Sequence, residues 1–254
     1  MMNKRTKELK ELYIIGAGGF GREVSDSVRD ISRAAEARAR HGAASGDGMG
    51  ADYGAGAETV AAYRIAGFID DDETKWGSLV NDIEVVGGIE WLRSRGASVG
   101  DSGDSSEGKP HAVIAIADPQ TKRKVAEYLD GAVIWETIIH PTAIVSPYAK
   151  IGEGGILQPY AAVSSQVSIG KHIILNGYSG IGHDAVLGDF VSVMSKCDIT
   201  GNTTIGDGVY LATSVAIIPD TTVGDGAFLG AGSVIMKDVE RGATMIGNPA
   251  RRVA

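Results

Sequence analysis

The sequence predicts an α/β half-domain, Rossmann-like in its order of elements, followed by a parallel β-helix. Two observations carry this. From Val145 to Ile235 every sixth residue is aliphatic, sixteen times in succession. Near the start, the apolar run Leu12-Tyr13-Ile14-Ile15 leads straight into Gly16-Ala17-Gly18-Gly19-Phe20-Gly21. A fixed period of six fits neither an amphipathic helix nor alternating strands, and it marks a solenoid. Two residues ahead of each aliphatic stands a small or β-branched residue, from Ala143 to Ser233, with Ile173 the largest. Each hexad then supplies one short strand and one corner, the aliphatic pointing inward and the small residue fitting where the chain turns. Three hexads make a triangular coil, so sixteen make a little over five, stacked at about 4.8 Å.

The first half reads as strands alternating with helices. Leu12 to Ile15 has the composition of a buried parallel strand, and Arg22 to Ala39 looks helical. Between them Gly16, Gly18 and Gly21 match G-x-G-x-x-G, a turn whose backbone N–H groups and following helix N-terminus can face a phosphate. A tight strand-to-helix turn without a ligand has the same residues. A second strand, Tyr63 to Ile69, ends in Asp70-Asp71-Asp72. Acidic groups at that end accept hydrogen bonds from a base or ribose, or form a solvated loop. Between the helix and this strand, residues 41–58 are rich in Gly, Ala and Asp and read as a mobile insertion. A third strand, Ala112 to Ile116, follows a soft linker at 99–109, and Pro119 to Leu129 reads as a helix. Three or four strands fit, too few for a whole nicotinamide cofactor and the right number for a nucleoside diphosphate. The division expected is 1–139 for this unit and 140–254 for the β-helix.

Composition narrows the function. The chain has 254 residues, a formal charge of −8 and 43% hydrophobic residues. Its basic residues form no run beyond Lys122-Arg123-Lys124, which argues against nucleic acid or an anionic membrane as the main partner. The single cysteine, Cys197, falls in the small inward column and excludes an intrachain disulfide. The opening residues contain a four-residue apolar run broken by glycine, so neither a signal peptide nor a membrane span is expected there. The expectation is a soluble, cytoplasmic protein.

Most β-helix corners carry Gly, Ser, Asp or Pro, and His183 breaks that pattern. It lies two residues after the inward Ile181, so its imidazole projects outward. Residues eighteen apart stack on one edge, placing Ser165 below His183, Gly201 above it and Pro219 above that, with Asn202 over Asp184. An imidazole titrates near neutrality. A neighbouring carboxylate can hold Nδ1–H and leave Nε2 free as a base, and a glycine N–H can reach an oxyanion. A solvated surface histidine is the other reading of the same residues. His172 sits on a different edge, His140 opens the β-helix before Pro141 in a structural setting, and His41 and His111 fall in soft segments. With only His172 and His183 inside the coils, on different edges, no metal site is expected.

Taken together, the hexads, Gly16 to Gly21 after the first strand, Phe68-Ile69-Asp70-Asp71, Ile139-His140-Pro141, Asn176 seven residues ahead of His183-Asp184, and Gly247-Asn248-Pro249-Ala250-Arg251-Arg252 resemble one family. It is the left-handed β-helix, hexapeptide-repeat sugar O- and N-acyltransferases of the sialic acid, bacillosamine and perosamine type, enzymes of glycan biosynthesis. The resemblance implies a left-handed helix, acetyl-CoA as acyl donor, a nucleotide-linked amino sugar as acceptor and a homotrimer with acetyl-CoA between subunits. It implies His183 as general base, Asp184 as its polarising partner, and Gly201 N–H on the thioester carbonyl. Arg251 and Arg252 would meet a CoA phosphate; Gly16, Gly18, Gly19, Asp70, Asp71 and Asn176 would contact the nucleotide sugar. Two positions depart from the family. Ser192 stands where many members carry a second histidine near the thioester, and Phe20 where some carry a histidine in the glycine turn. The function expected is N-acetylation of the sugar amine by direct transfer. O-acetylation of a sugar hydroxyl, or a non-catalytic nucleotide-sugar-binding trimer, remain alternatives.

Overall fold

The computed structural model describes residues 9–41, 63–97 and 108–253. The soft stretches expected at 41–58 and 99–109 lie, but for their end residues, outside these. The first half is a six-stranded sheet with helices. β1 (Lys10–Ile15) leads to α1 (Gly19–His41), then β2 (Tyr63–Ile69), a hairpin of β3 (Leu79–Val80) and β4 (Ile83–Gly87), α2 (Ile89–Ala97), β5 (His111–Ile114), α3 (Pro119–Tyr128) and β6 (Ile134–Trp135). The strand order is β3-β4-β2-β1-β5-β6, parallel except for β3 against β4. Two additional two-residue strands and the β4 strand carry the sheet past the three or four strands expected.

α1 begins at Gly19, inside the glycine turn, rather than at Arg22. Two glycines explain how strand and helix meet so abruptly. Gly16 has φ +106°, and a side chain there would come within 2.9 Å of the Ala115 carbonyl. A Cβ on Gly21 would fall 1.9 Å from the Gly16 carbonyl oxygen, so the helix seats on the strand only with hydrogen at that position. His111 is also ordered rather than soft: it is the first residue of β5, with Nδ1 2.6 Å from Glu136 Oε1. Glu136 additionally accepts from Lys10 Nζ at 2.7 Å and Tyr63 Oη at 2.8 Å. One carboxylate therefore gathers the starts of β1, β2 and β5 beside the end of β6.

The β-helix starts at Ile138–Ile139 and rises through seventeen two-residue strands to Val234–Ile235. Residues eighteen apart pair in parallel: Ile156 with Ile174, Gly180 with Asp198, Val186 with Thr204. Three flat faces result. The first carries Ile138, Ile156, Ile174, Ser192, Tyr210 and Phe228 outward, the second runs from Ile144 to Val234, the third from Lys150 to Thr222. The inward aliphatics, Leu157 through Ile235, are buried almost completely, each contributing about 1.5–3 kcal/mol. The second residue of corner after corner is left-handed, with φ +54° to +62° from Tyr160 to Asp220. This is the conformation in which Asn and Asp are several-fold enriched, and it explains Asp184, Asn202 and Asp220 there. On the edge between the third and first faces, aspartates bind the coil below. Asp189 Oδ1 accepts Lys171 N–H at 2.7 Å, Asp207 Oδ1 accepts Asp189 N–H at 2.9 Å, and Asp225 Oδ1 accepts Asp207 N–H at 3.0 Å.

The α/β half packs on the first face and on the edge between it and the third face. Ile138, Ile156 and Ile174, outward on that face, have no exposed surface and share a core with Leu12, Ile14, Val24, Phe68 and Val113. Ser27 Oγ donates to Gln158 Oε1 at 2.6 Å, and Arg123 lies over the Phe190 ring at 4.6 Å. A hairpin of Thr244–Gly247 and Ala250–Arg252 extends the first face at the top. Cys197 is buried and free, its Sγ 3.1 Å from the Ala212 carbonyl.

Candidate active site

His183 and Asp184 form the corner between the second and third faces, the edge opposite the face that carries the α/β half. Their side chains are 66% and 54% exposed, and His183 Nδ1 lies 2.8 Å from Asp184 Oδ2. The left-handed backbone at Asp184, φ +60°, turns its carboxylate back toward the preceding imidazole. Asp184 N–H bonds to Ser165 O in the coil below, and His183 O accepts Asn202 N–H from the coil above. Main-chain bonds on both sides therefore hold the corner. Nε2 has no partner among the described residues.

Gly201 stands directly over the imidazole. A Cβ there would come within 2.7 Å of His183 Cε1 and 2.8 Å of Nε2, so only glycine leaves the ring its position. Its N–H has no hydrogen-bond partner among the described residues, while its carbonyl accepts from Asp220 N–H. A free donor next to an unpartnered imidazole nitrogen is the pairing needed to deprotonate a nucleophile and receive the charge that develops on a carbonyl oxygen.

The other expected site residues are spread over the molecule. Asn176 lies on the edge between the first and second faces, away from His183, and its Oδ1 accepts the adjacent Gly177 N–H at 2.7 Å. Arg251 and Arg252 are exposed in the terminal hairpin, and Arg252 pairs with Glu240. Ser192 is fully buried on the first face, half a coil from His183, and accepts a hydrogen bond from Lys122 Nζ at 2.9 Å. Within one chain, then, Ser192 is not beside the His183 edge, because nine residues is half of the eighteen that close a coil.

Lys122 escaped the sequence reading. It is 1% exposed, its Nζ reaches only Ser192 Oγ and the Val191 carbonyl at 3.3 Å among the described residues, and burial pulls its pKa down to about 7. His172 is equally enclosed. Its ring stacks on Phe190 at 5.2 Å and meets Trp135 edge-on at 4.8 Å, and burial lowers its pKa to about 4. His140 is buried too, with Nδ1 2.9 Å from Thr142 Oγ1 and Nε2 3.3 Å from Asp30 Oδ2.

The glycine turn forms a second cluster at the carboxyl ends of β1 and β2. Asp70 Oδ2 accepts Ala17 N–H at 3.0 Å and Lys75 Nζ at 3.0 Å; Oδ1 accepts Asp72 N–H at 3.0 Å. Burial opposes its ionisation, but Lys75 and the two backbone donors outweigh it and hold its pKa below the usual range. Asp71 Oδ1 accepts Ile89 N–H at 2.8 Å, at the start of α2. Both carboxylates thus shape the rim of the turn. Gly18 and Gly19 stay exposed at its crest. Phe20, in the first turn of α1, packs partly buried against the core shared with the first face.

The bacterial transferase hexapeptide family (six repeats) matches residues 202–237. No curated protein matches the chain by sequence. Solved structures match over nearly its whole length. PerB from Caulobacter crescentus, in complex with CoA and GDP-perosamine, is 23% identical, with 97% of this chain and 99% of that one covered and a TM-score of 0.76. The acetyltransferase domain of PglB from Neisseria gonorrhoeae, in complex with acetyl coenzyme A, is 26% identical over 97% and 100%, with a TM-score of 0.73. WeeI from Acinetobacter baumannii is 26% identical over 96% and 100%, with a TM-score of 0.71. Among the described residues no helix is long and apolar enough to cross a membrane. With its hexapeptide coils and a whole-length likeness to structures that set an α/β unit before a left-handed β-helix, the chain has the fold of those hexapeptide-repeat acetyltransferases, and it matches the hexapeptide transferase family over residues 202–237.

Proposed function

We propose that the protein transfers an acetyl group from acetyl-CoA to the amino group of a nucleotide-linked sugar, directly and with His183 as the general base. The observation that carries this is the exposed His183–Asp184 pair under Gly201. Asp184 holds Nδ1 at 2.8 Å, leaving Nε2 for the substrate. Nε2 takes the amine proton as nitrogen attacks the thioester carbonyl. Gly201 N–H donates to the carbonyl oxygen as it gains charge, and collapse breaks the carbon–sulfur bond to release CoA thiolate. The proton held on Nε2 is passed to that sulfur or to solvent. The one cysteine is not placed for a covalent relay: Cys197 is buried, and burial lifts its pKa to about 11.

The nucleotide would lie at the glycine turn, in keeping with the GDP-perosamine bound by PerB. Gly16, Gly18 and Gly19 would face its diphosphate, and Arg251 and Arg252 would approach a CoA phosphate. Within one chain the turn belongs to the half seated on the first face, and His183 belongs to the opposite edge. That separation supports a homotrimer in which one subunit's turn serves a neighbour's histidine. Replacing His183 by Ala is expected to lower kcat about 10²–10⁴-fold with an unchanged far-UV spectrum, assayed with acetyl-CoA and UDP-, GDP- or dTDP-linked amino sugars. Turnover near that of the wild type would remove His183 from the mechanism.

A further inference from the structure

We propose that Trp76 is the stacking platform for the nucleobase, an inference that rests on the nucleotide-sugar reading above. Trp91 and Trp135 are occupied: Trp91 meets Tyr13 at 5.7 Å and Arg95 lies over it at 4.9 Å, while Trp135 abuts His172. Trp76 is different. It is 45% exposed, and no aromatic or cationic group covers its ring among the described residues. Large apolar side chains at a surface are ordinary when they are loose. This one is fixed, because its Nε1–H donates to the Asp70 carbonyl at 2.7 Å, and its Cζ2 edge lies against Gly88, where a Cβ would sit 3.4 Å away.

Its position gives the fixed ring a purpose. The same residue Asp70 holds Ala17 N–H of the glycine turn at 3.0 Å, so turn and indole are anchored to one residue at the carboxyl ends of β1 and β2. In open α/β sheets nucleotides bind outside the carboxyl ends of the strands at the point where strand order reverses, here between β1 and β5 beside this turn. Lys75, next in the chain, places its ammonium 3.0 Å from the Asp70 carboxylate and removes the repulsion a bare carboxylate beside the turn would exert on a diphosphate. The arrangement is therefore a phosphate-facing turn, a compensated carboxylate and an open aromatic face held beside them. Every base has a π-face, so stacking on an indole adds affinity of about 1–3 kcal/mol without selecting the base.

The test is calorimetry of UDP, GDP, dTDP and ADP on the intact protein and on Trp76→Ala and Trp76→Phe. Alanine is expected to weaken nucleoside diphosphate binding about 5–150-fold and phenylalanine to restore most of it. The KM for the nucleotide sugar should rise with the same ratio, with kcat and the KM for acetyl-CoA unchanged. Wild-type affinity in Trp76→Ala would overturn the platform and leave the proposed function standing. If the wild type binds none of the four diphosphates, the platform and the nucleotide-sugar reading fall together.

Discussion

His172 and His183 are eleven residues apart, each at a corner of the same β-helix, and they have opposite environments. His172 is 4% exposed, wedged between Phe190 and Trp135 with Nδ1 unpartnered. His183 is open to solvent, ordered by Asp184 and topped by glycine. Local sequence does not separate them; both replace the polar or glycine residues common at corners. What separates them is the face on which the α/β half sits. It covers the edge bearing His172 and leaves the His183 edge free, so one imidazole becomes packing and the other remains available for proton transfer.

The contrast can be broken most severely at His172. Truncation to Ala removes a ring from a closed site and is expected to cost about 2–4 kcal/mol of stability, read as a lower urea midpoint, while kcat of the folded protein is unchanged. The same histidine imposes a pH dependence with a definite sign. Its folded pKa, about 4, lies below the 6.5 of an ordinary imidazole, so between these the unfolded chain binds the proton that the folded one excludes. Stability is retained above pH 6.5 and declines as pH falls toward 4. The alanine variant should show a shallower decline over that interval.

A smaller effect is expected at Gly201. Alanine there drives a methyl into the His183 imidazole, which can rotate away because it is the end of an exposed side chain. A fall in kcat of about tenfold with intact folding is the expected outcome; unchanged kcat would show that the imidazole position under Gly201 is not used. A last test, at Lys122, sharpens the contrast by probing the seam that covers one face. Burial holds its pKa near 7, below the 10.5 of an ordinary lysine, so stability should rise with pH between those values. In Lys122→Met that rise should disappear from denaturation curves measured from pH 7 to 10.

The β-helix was readable from the sequence because its period is counted, not inferred from propensity: inward Ile181, outward His183 and Gly201 one coil above all follow from six and eighteen. The same arithmetic places Ser192 half a coil from His183, a consequence that a spacing of nine residues read along the chain conceals. The first half was less legible. The strand Tyr63–Ile69 coincides with expectation, whereas α1 begins three residues early because the tight packing of Gly21 on Gly16 lets the helix start inside the turn. His111 looked loose because its partner Glu136 lies twenty-five residues away and signals nothing locally. Asp70 and Asp71 looked available for a ligand, yet their oxygens hold Ala17 and Ile89 N–H groups. Such commitments depend on geometry between distant segments, which composition does not encode. Trp76 carried no periodic mark at all; only its bond to the Asp70 carbonyl distinguishes it from a surface aromatic.

The eighteen-residue repeat also constrains how such a chain can change its length over evolution. Gaining or losing a single hexad keeps every inward aliphatic inward, so the core survives and folding has little reason to fail. Everything above the change, however, turns by a third of a revolution, and Gly201 no longer stands over His183. Only whole coils can be added or removed between residues that must meet on one edge. Selection for solubility would accept either kind of change, while selection for chemistry would accept one, and coil number should therefore vary in steps of three hexads wherever an edge is in use.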